Sequence, residues 1–255
     1  MRDNPIKRLV RRCFFPDGAV RRVISGPLRG FRYRVSPITG MEAWYSGHER
    51  DMQRAMAAYV RPGDTVLDIG ANWGGHSLLL SRLVGPTGRV FACEPSPCVA
   101  AETRWHLSAN KVENVTFLEL ALADQPGTAC FDTQALSTAG KLMDGPGRAA
   151  GSAVTVQVQT LDDLTANHPL GALKLVKVDV EGAESKVLMG ARNTLETVRP
   201  RLIVELHNPE QDVAVARILL DHHYRLTRLD GSQIRKLDCG WPDRDGVWGT
   251  IIAHP

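Results

Sequence analysis

The chain has no apolar run approaching ~18 residues, the length a membrane-crossing helix needs, and its opening Met-Arg-Asp-Asn-Pro-Ile-Lys-Arg-Leu-Val lacks the apolar stretch of a secretory signal. A cytoplasmic protein is the expectation. Cysteine is sparse: Cys13, Cys93, Cys98, Cys130 and Cys239 are odd in number and show no C-x-x-C spacing, which argues for reduced thiols against a disulfide framework or a zinc site. Aromatic residues make up 6%, and few, Phe14, Phe15 and Phe31 among them, interleave with the basic N-terminus, a poor platform for stacking bases, so a nucleic-acid partner is not expected. There is no internal repeat and no obviously disordered tail. What remains is 255 residues, 43% apolar and 23% charged, enough for one globular α/β domain and an accessory piece.

Charge is unevenly placed. Residues 1–34 hold ten Lys/Arg against two Asp, net +8, and the rest holds 21 basic against 26 acidic residues, net −5. A basic end of this kind allows contact with anionic lipid, RNA or a phosphorylated substrate, or is simply a solvated segment. Residues 1–18 have the apolar spacing of a short amphipathic helix (Ile6, Leu9, Val10, Cys13, Phe14) ended by Pro16-Asp-Gly, which suits a docking or homo-oligomerisation arm. Val20–Ile24 and Arg29–Val35, split by Ser25-Gly-Pro, read as a hairpin, and Gly47–Val60 as a helix with Met52, Ala55, Met56 and Tyr59 on one face. Residues 1–60 thus form an N-terminal cap, and 61–255 the main domain.

From Asp64 the rhythm is strand, helix, strand, the pattern of a parallel sheet with right-handed crossovers. Strands are expected at 65–69, 89–93 and 115–120, with helices at 75–84 and 97–109. An inserted ribbon and loop, 124–160, follows, with strands near Ala129–Thr133 and Val154–Val158, a loop over 134–151, and a helix N-terminus at Thr160-Leu-Asp-Asp163. Beyond it come a buried strand Leu173–Val178, a helix Ala183–Val198, a strand Arg201–Leu206, a helix opened by Pro209, and two last strands, Tyr224–Leu229 and Val247–Ala253.

The chain is organised around Thr65-Val-Leu-Asp-Ile-Gly-Ala-Asn-Trp-Gly-Gly75. A β-branched strand enters a glycine turn and a helix leaves it, so backbone N–H groups face the crevice at the strand ends. The turn is not the G-x-G-x-x-G of a pyrophosphate site: Asp68 would repel phosphate, and Asn72 and Trp73 stand where small residues belong. A cationic ligand suits it better. Asp68, Gly70, Asn72 and Gly74 after the first strand, with Glu94 closing the next, resemble the S-adenosylmethionine site of class I methyltransferases. Glu94 suits two ribose hydroxyls, and Asp124, beyond the third strand, an adenine amine, although Asp124-Gln-Pro-Gly is also a good turn.

Leu-Val-Lys177-Val-Asp179-Val-Glu181-Gly-Ala-Glu184, taken with Val-Leu-Asp-Ile-Gly-Ala-Asn, resembles the FkbM-type family of S-adenosylmethionine-dependent O-methyltransferases over roughly residues 40–210. The resemblance implies a class I, Rossmann-like core, a seven-stranded mostly parallel sheet with helices on both faces, and methylation of a hydroxyl on a sugar or secondary metabolite. It adds Glu49 to the cofactor residues. Asp179, Glu205 and Asn208, at neighbouring strand ends, offer hard oxygen ligands of the kind Mg²⁺ accepts, as in catechol-type O-methyltransferases, although Glu-Leu-His-Asn replaces their Asp-Asn pair. His207, expected as a neutral imidazole on the same side as Glu205, is the first choice of general base, with Asp179 beside it. Lys177 inside a buried strand needs a partner, and an ion pair with Glu205 competes with the metal. An RNA or protein methyltransferase and a non-catalytic cofactor-binding module are the alternatives; no Asn-Pro-Pro-Tyr-type amino-methylation motif is present.

Overall fold

A computed structural model describes residues 15–39, 43, 49–132, 141–143, 153–168, 170, 173–235 and 249–255. The expected helix over 1–18 and most of the 134–151 loop lie outside these residues. The N-terminal hairpin forms as read, from β1 (Val20–Arg22) and β2 (Arg32–Arg34), pairing Val20 with Arg34 and Arg22 with Arg32. Alternation buries Val23, Tyr33 and Val35 on its inner side. Helix α1 (Arg50–Tyr59) buries Met52, Ala55 and Met56, the face its apolar spacing specified; the expected start at Gly47 falls outside the described residues.

The core begins with β3 (Thr65–Ile69), α2 (Gly75–Val84), β4 (Arg89–Cys93), α3 (Pro97–Ala109) and β5 (Val115–Leu118). The third strand is shorter than expected, because after Leu118 the chain crosses to a second sheet. That sheet has the order β6-β9-β7-β8, built from β6 (Ala121–Leu122), β7 (Gly127–Asp132), β8 (Lys141–Met143) and β9 (Ala153–Gln159). Helix α4 (Leu161–Asn167) follows, capped by the Thr160 hydroxyl accepting from Asp163 N at 2.9 Å. Next come β10 (Leu173–Val178), α5 (Glu184–Met189), β11 (Arg201–Val204), α6 (Pro209–Asp221), β12 (Arg225–Thr227) and β13 (Ile251–His254). The helix expected over 183–198 is broken at Gly190, which packs against the Ala123 carbonyl, where an added Cβ would lie 2.1 Å away. Its second part is a π-helical turn, Thr194–Val198, whose start is held by Asp162 accepting from Asn193 N and Thr194 N.

The seven-stranded sheet has the order β12-β13-β11-β10-β3-β4-β5, all parallel except β13, which runs antiparallel between β11 and β12. Both faces are covered, so the central strands are apolar throughout. Val66, Leu175 and Ile203 face α1 and α2 through Met52, Met56, Leu78 and Leu79. Leu67, Val176 and Leu202 face α4, α5 and α6 through Leu161, Val187, Val215 and Leu219. The chain leaves β3 toward β4 and β5 on one side and returns through β10 and β11 on the other. The topological switch therefore lies between the carboxyl ends of β3 and β10, where such sheets bind ligands. Gly70 closes that point: its φ is +79° and a Cβ there would lie 1.8 Å from the Asp179 carbonyl oxygen. Gly70→Ala is expected to cost at least ~3 kcal/mol in urea denaturation, against about 1 for Gly18→Ala, which shares the positive φ but faces open space. Equal losses for the two would show that the turn does not pack on β10 as described.

Candidate active site

Gly70, Asn72 and Gly74 all take the left-handed conformation, and the turn they form is held from behind by β4. Gly70 N and Ala71 N donate to the Cys93 carbonyl at 3.0 and 2.9 Å. Glu94 then accepts from Asn72 N at 3.0 Å on one carboxylate oxygen and from Ser96 N at 2.9 Å on the other. The acid expected to meet ribose thus also shapes the turn, and its remaining lone pairs are what it offers a ligand. Burial pushes its pKa up to about 7, against the two backbone N–H groups, which stabilise the anion. Trp73 packs its indole over Gly75, where a Cβ would lie 2.5 Å from the ring. Its carbonyl is bonded to His106 Nδ1 at 2.9 Å.

Register decides the next layer. β3 and β10 align Asp68 with Lys177, and the Lys177 ammonium sits 3.3 Å from Asp68 Oδ1, 3.1 Å from Asp179 Oδ2 and 3.0 Å from the Gly70 carbonyl. Burial alone would strip its proton, but Asp179 and Asp68, then Glu49 and Glu205, outweigh it and raise its pKa. The expected Lys177–Glu205 ion pair is replaced by this bridge, because Asp68 is the direct neighbour across the sheet. Asp68 is 0% exposed and also accepts from the Ser77 hydroxyl at 2.6 Å, so it supports the cleft from below and offers no surface to a cofactor.

An open cleft of about 450 Å³ lies above, lined by Leu28, Glu49, Gln53, Asn72, Trp73, His76, Lys177 and Asp179. Glu49, left-handed at the start of α1, is 3.1 Å from His76 Nε2. Burial lowers the His76 pKa more than Glu49 raises it, which leaves a neutral ring. Glu205 follows β11 and is itself largely buried; burial, Asp179 and Glu49 push it up to about 8. His207 lies beyond the last residue of β11, so the two-residue strand period does not reach it. Its Nδ1 is 2.8 Å from Oε1 of Glu184, a carboxylate with 0% exposure, and its Nε2 is 3.4 Å from both Asp179 and Glu181. Burial opposes its charge, yet the Glu184 hydrogen bond with Asp179 and Glu181 raises its pKa to about 9. Where a neutral imidazole is expected from sequence, the surrounding carboxylates favour the protonated ring.

Of the expected magnesium ligands, Asp179 and Glu205 come within 4.8 Å of each other, and Asn208 is engaged elsewhere. The Asn208 amide oxygen caps α6, accepting from Gln211 N at 2.8 Å, and one Asp179 oxygen faces Lys177. Two other sets among the described residues, Asp179–Glu181–His207 and Glu49–Asp179–Glu205, bring ligand atoms within 4.8 Å. In both the positive charge is already supplied, by the His207 ring in the first and the Lys177 ammonium in the second, so the residues do not fit an added Mg²⁺. Asp124 is exposed on the bend between β6 and β7, outside the cleft lining, as its turn-forming neighbours favour. Glu184, Gln53 and His76 were missed. Glu184 follows the motif Asp-Val-Glu-Gly-Ala and His76 opens the helix leaving the turn, but neither has a spacing that announces chemistry.

Sheet order, a glycine turn braced by the acid after β4, and an acidic cleft at the topological switch together define a class I methyltransferase, which uses S-adenosylmethionine. The methyltransferase FkbM domain model matches residues 68–226, and the chain belongs to that family. It is similar to the hexuronic acid methyltransferase AglP of Haloferax volcanii, 26% identical over 79% of this chain and 82% of that protein. It is also similar to the 2-O-methyltransferase NoeI of Sinorhizobium fredii, 27% identical over 54% of this chain and 62% of that one. The 31-O-demethyl-FK506 methyltransferase FkbM of Streptomyces tacrolimicus is 26% identical over 64% and 73%. The crystal structure of methyltransferase FkbM from Methylobacillus flagellatus, 17% identical, overlays with a TM-score of 0.49 over 79% of this chain and 50% of that one.

Removing the bridging ammonium leaves the buried Asp68 carboxylate uncompensated beside the half-buried Asp179. Lys177→Met is expected to cost roughly 3–5 kcal/mol in chemical denaturation, and Asp68→Asn added to it should recover part of the loss. Purely additive losses in the double variant would contradict the bridge.

Proposed function

We propose that the protein transfers a methyl group from S-adenosylmethionine to a hydroxyl of a sugar or secondary metabolite. The observation that carries this reading is the pair of carboxylates Glu49 and Asp179 lining a cleft closed on one side by the Glu94-braced turn, with Glu181 next to Asp179. That charge suits a cationic sulfonium and not a phosphate. Relatives named for a hexuronic acid, a 2-O position and a 31-O position support an oxygen acceptor.

When bound, the cofactor supplies a methyl group on a good leaving group: the O–C bond forms as C–S breaks and the electron pair goes to sulfur. Glu94 would hold the ribose hydroxyls, and Glu49 with Asp179 the α-ammonium of the amino-acid end. The work left to the chain is orientation and removal of the hydroxyl proton. For the latter the proposed residue is His207, supported by its Nε2 lying 3.4 Å from the cleft residue Asp179. The Glu184 carboxylate keeps Nδ1 protonated, so Nε2 is the nitrogen that loses and regains a proton beside Asp179. A raised pKa makes it the stronger base once deprotonated, and makes that form scarce at neutral pH.

The sign follows directly: the competent, neutral ring increases as pH rises through about 9, so turnover should climb across pH 7–9. Labelled methyl donor offered to uronic-acid, hexose and polyketide alcohols, with products read by mass, should show transfer with that profile. His207→Gln should lower kcat ~100-fold or more while cofactor affinity by calorimetry stays within about twofold. Full turnover in the variant would remove His207 from the mechanism, and cofactor binding without transfer to any hydroxyl would leave a non-catalytic module.

A further inference from the structure

The N-terminal hairpin presents a second surface, unrelated to the cleft chemistry. Along its outer side Val20, Arg22 and Ile24 alternate outward, with Val20 45% and Ile24 51% exposed, and Arg32 and Arg29 are exposed beside them. Two of the four large apolar side chains that stand exposed among the described residues are therefore on this one ribbon. Arg22 and Arg32 are direct cross-strand partners, an arrangement in which like charges repel. Arg22 donates to the Gly30 carbonyl at 3.0 Å, and neither it, Arg29 nor Arg32 pairs with a carboxylate among the described residues.

The ribbon is fixed rigidly from behind. Asn110 accepts from Arg32 N at 2.7 Å and donates to Arg32 O at 2.8 Å, His106 Nε2 accepts from Arg34 N, and the Arg34 guanidinium is paired with Glu102 and lies 5.0 Å over the Trp105 ring. The aromatic rings of the hairpin face elsewhere: Tyr33 is buried, and Phe31 is covered by the Arg82 guanidinium 3.9 Å from its centre. With neither described ring of the hairpin free for base stacking, and with aliphatic side chains set beside Arg22, Arg29 and Arg32, which pair with no carboxylate among the described residues, the chemistry favours a lipid surface over a nucleic acid.

We propose that the outer face of the β1–β2 hairpin docks the protein on an anionic lipid bilayer, with Val20 and Ile24 entering the headgroup boundary and the arginines meeting lipid phosphates and carboxylates. The hairpin segment 15–34 carries five arginines against one aspartate, net +4, and this local charge faces the bilayer.

Sedimentation of the full chain with phosphatidylcholine vesicles, with and without phosphatidylserine, tests this. Binding should require phosphatidylserine and fall with added salt. Arg22→Glu/Arg32→Glu should reduce it at least ~10-fold, Arg22→Gln/Arg32→Gln by less, and Ile24→Ser severalfold at unchanged charge, all with wild-type cofactor affinity. Equal binding to both vesicle types, or charge-reversed protein that binds like wild type, would overturn the proposal. So would binding to a single-stranded RNA oligonucleotide with none to vesicles.

Discussion

One ammonium between two carboxylates underlies the rest of the structure. Lys177, its side chain 2% exposed, ties the end of β10 to β3 through Asp68, to the glycine turn through the Gly70 carbonyl, and to the cleft through Asp179. Each partner alone would be costly to bury. Together they neutralise much of the charge at the topological switch and leave Asp179 with one oxygen toward Lys177 and the other toward His207. The acidity that remains belongs to groups at the rim, and that is what a cationic ligand meets.

From that junction, two supports run outward. On the β4 side, Glu94 fixes the turn by accepting two backbone N–H groups, so the left-handed Asn72 is held by a charge-assisted bond and not by glycine freedom. On the β11 side, Glu184 reaches across from α5 to orient His207, and Asp179 stands between the lysine and the imidazole. The Lys177-anchored glycine turn and the His207 ring are thereby connected through a single aspartate.

Much of this was legible in the residues. Strand-forming runs, the turn at 70–75, the existence of two final strands and the acid after the second core strand follow from local chemistry: β-branched residues, glycine at positive φ, proline at helix starts. Register was not legible, because it depends on how strands far apart in sequence align. Lys177 therefore pairs with Asp68, 109 residues away in the chain, and not with Glu205. The two-residue period that placed His207 with Glu205 applies only while the strand continues, and β11 ends at Val204. Asn208 is claimed by the helix it begins, a capping use that competes with metal ligation in any Asn-Pro sequence. Asp124 kept its turn because the chain leaves the main sheet at Leu118 for the β6–β9 ribbon.

The junction is tested most directly by a crystal structure with S-adenosylhomocysteine bound. The account predicts the ribose hydroxyls on Glu94, the amino-acid end beside Glu49 and Asp179, and the Lys177 ammonium still within hydrogen-bond reach of Asp68, Asp179 and the Gly70 carbonyl. A ligand lodged away from the turn, or a lysine released from Asp68 to contact it, would contradict the account.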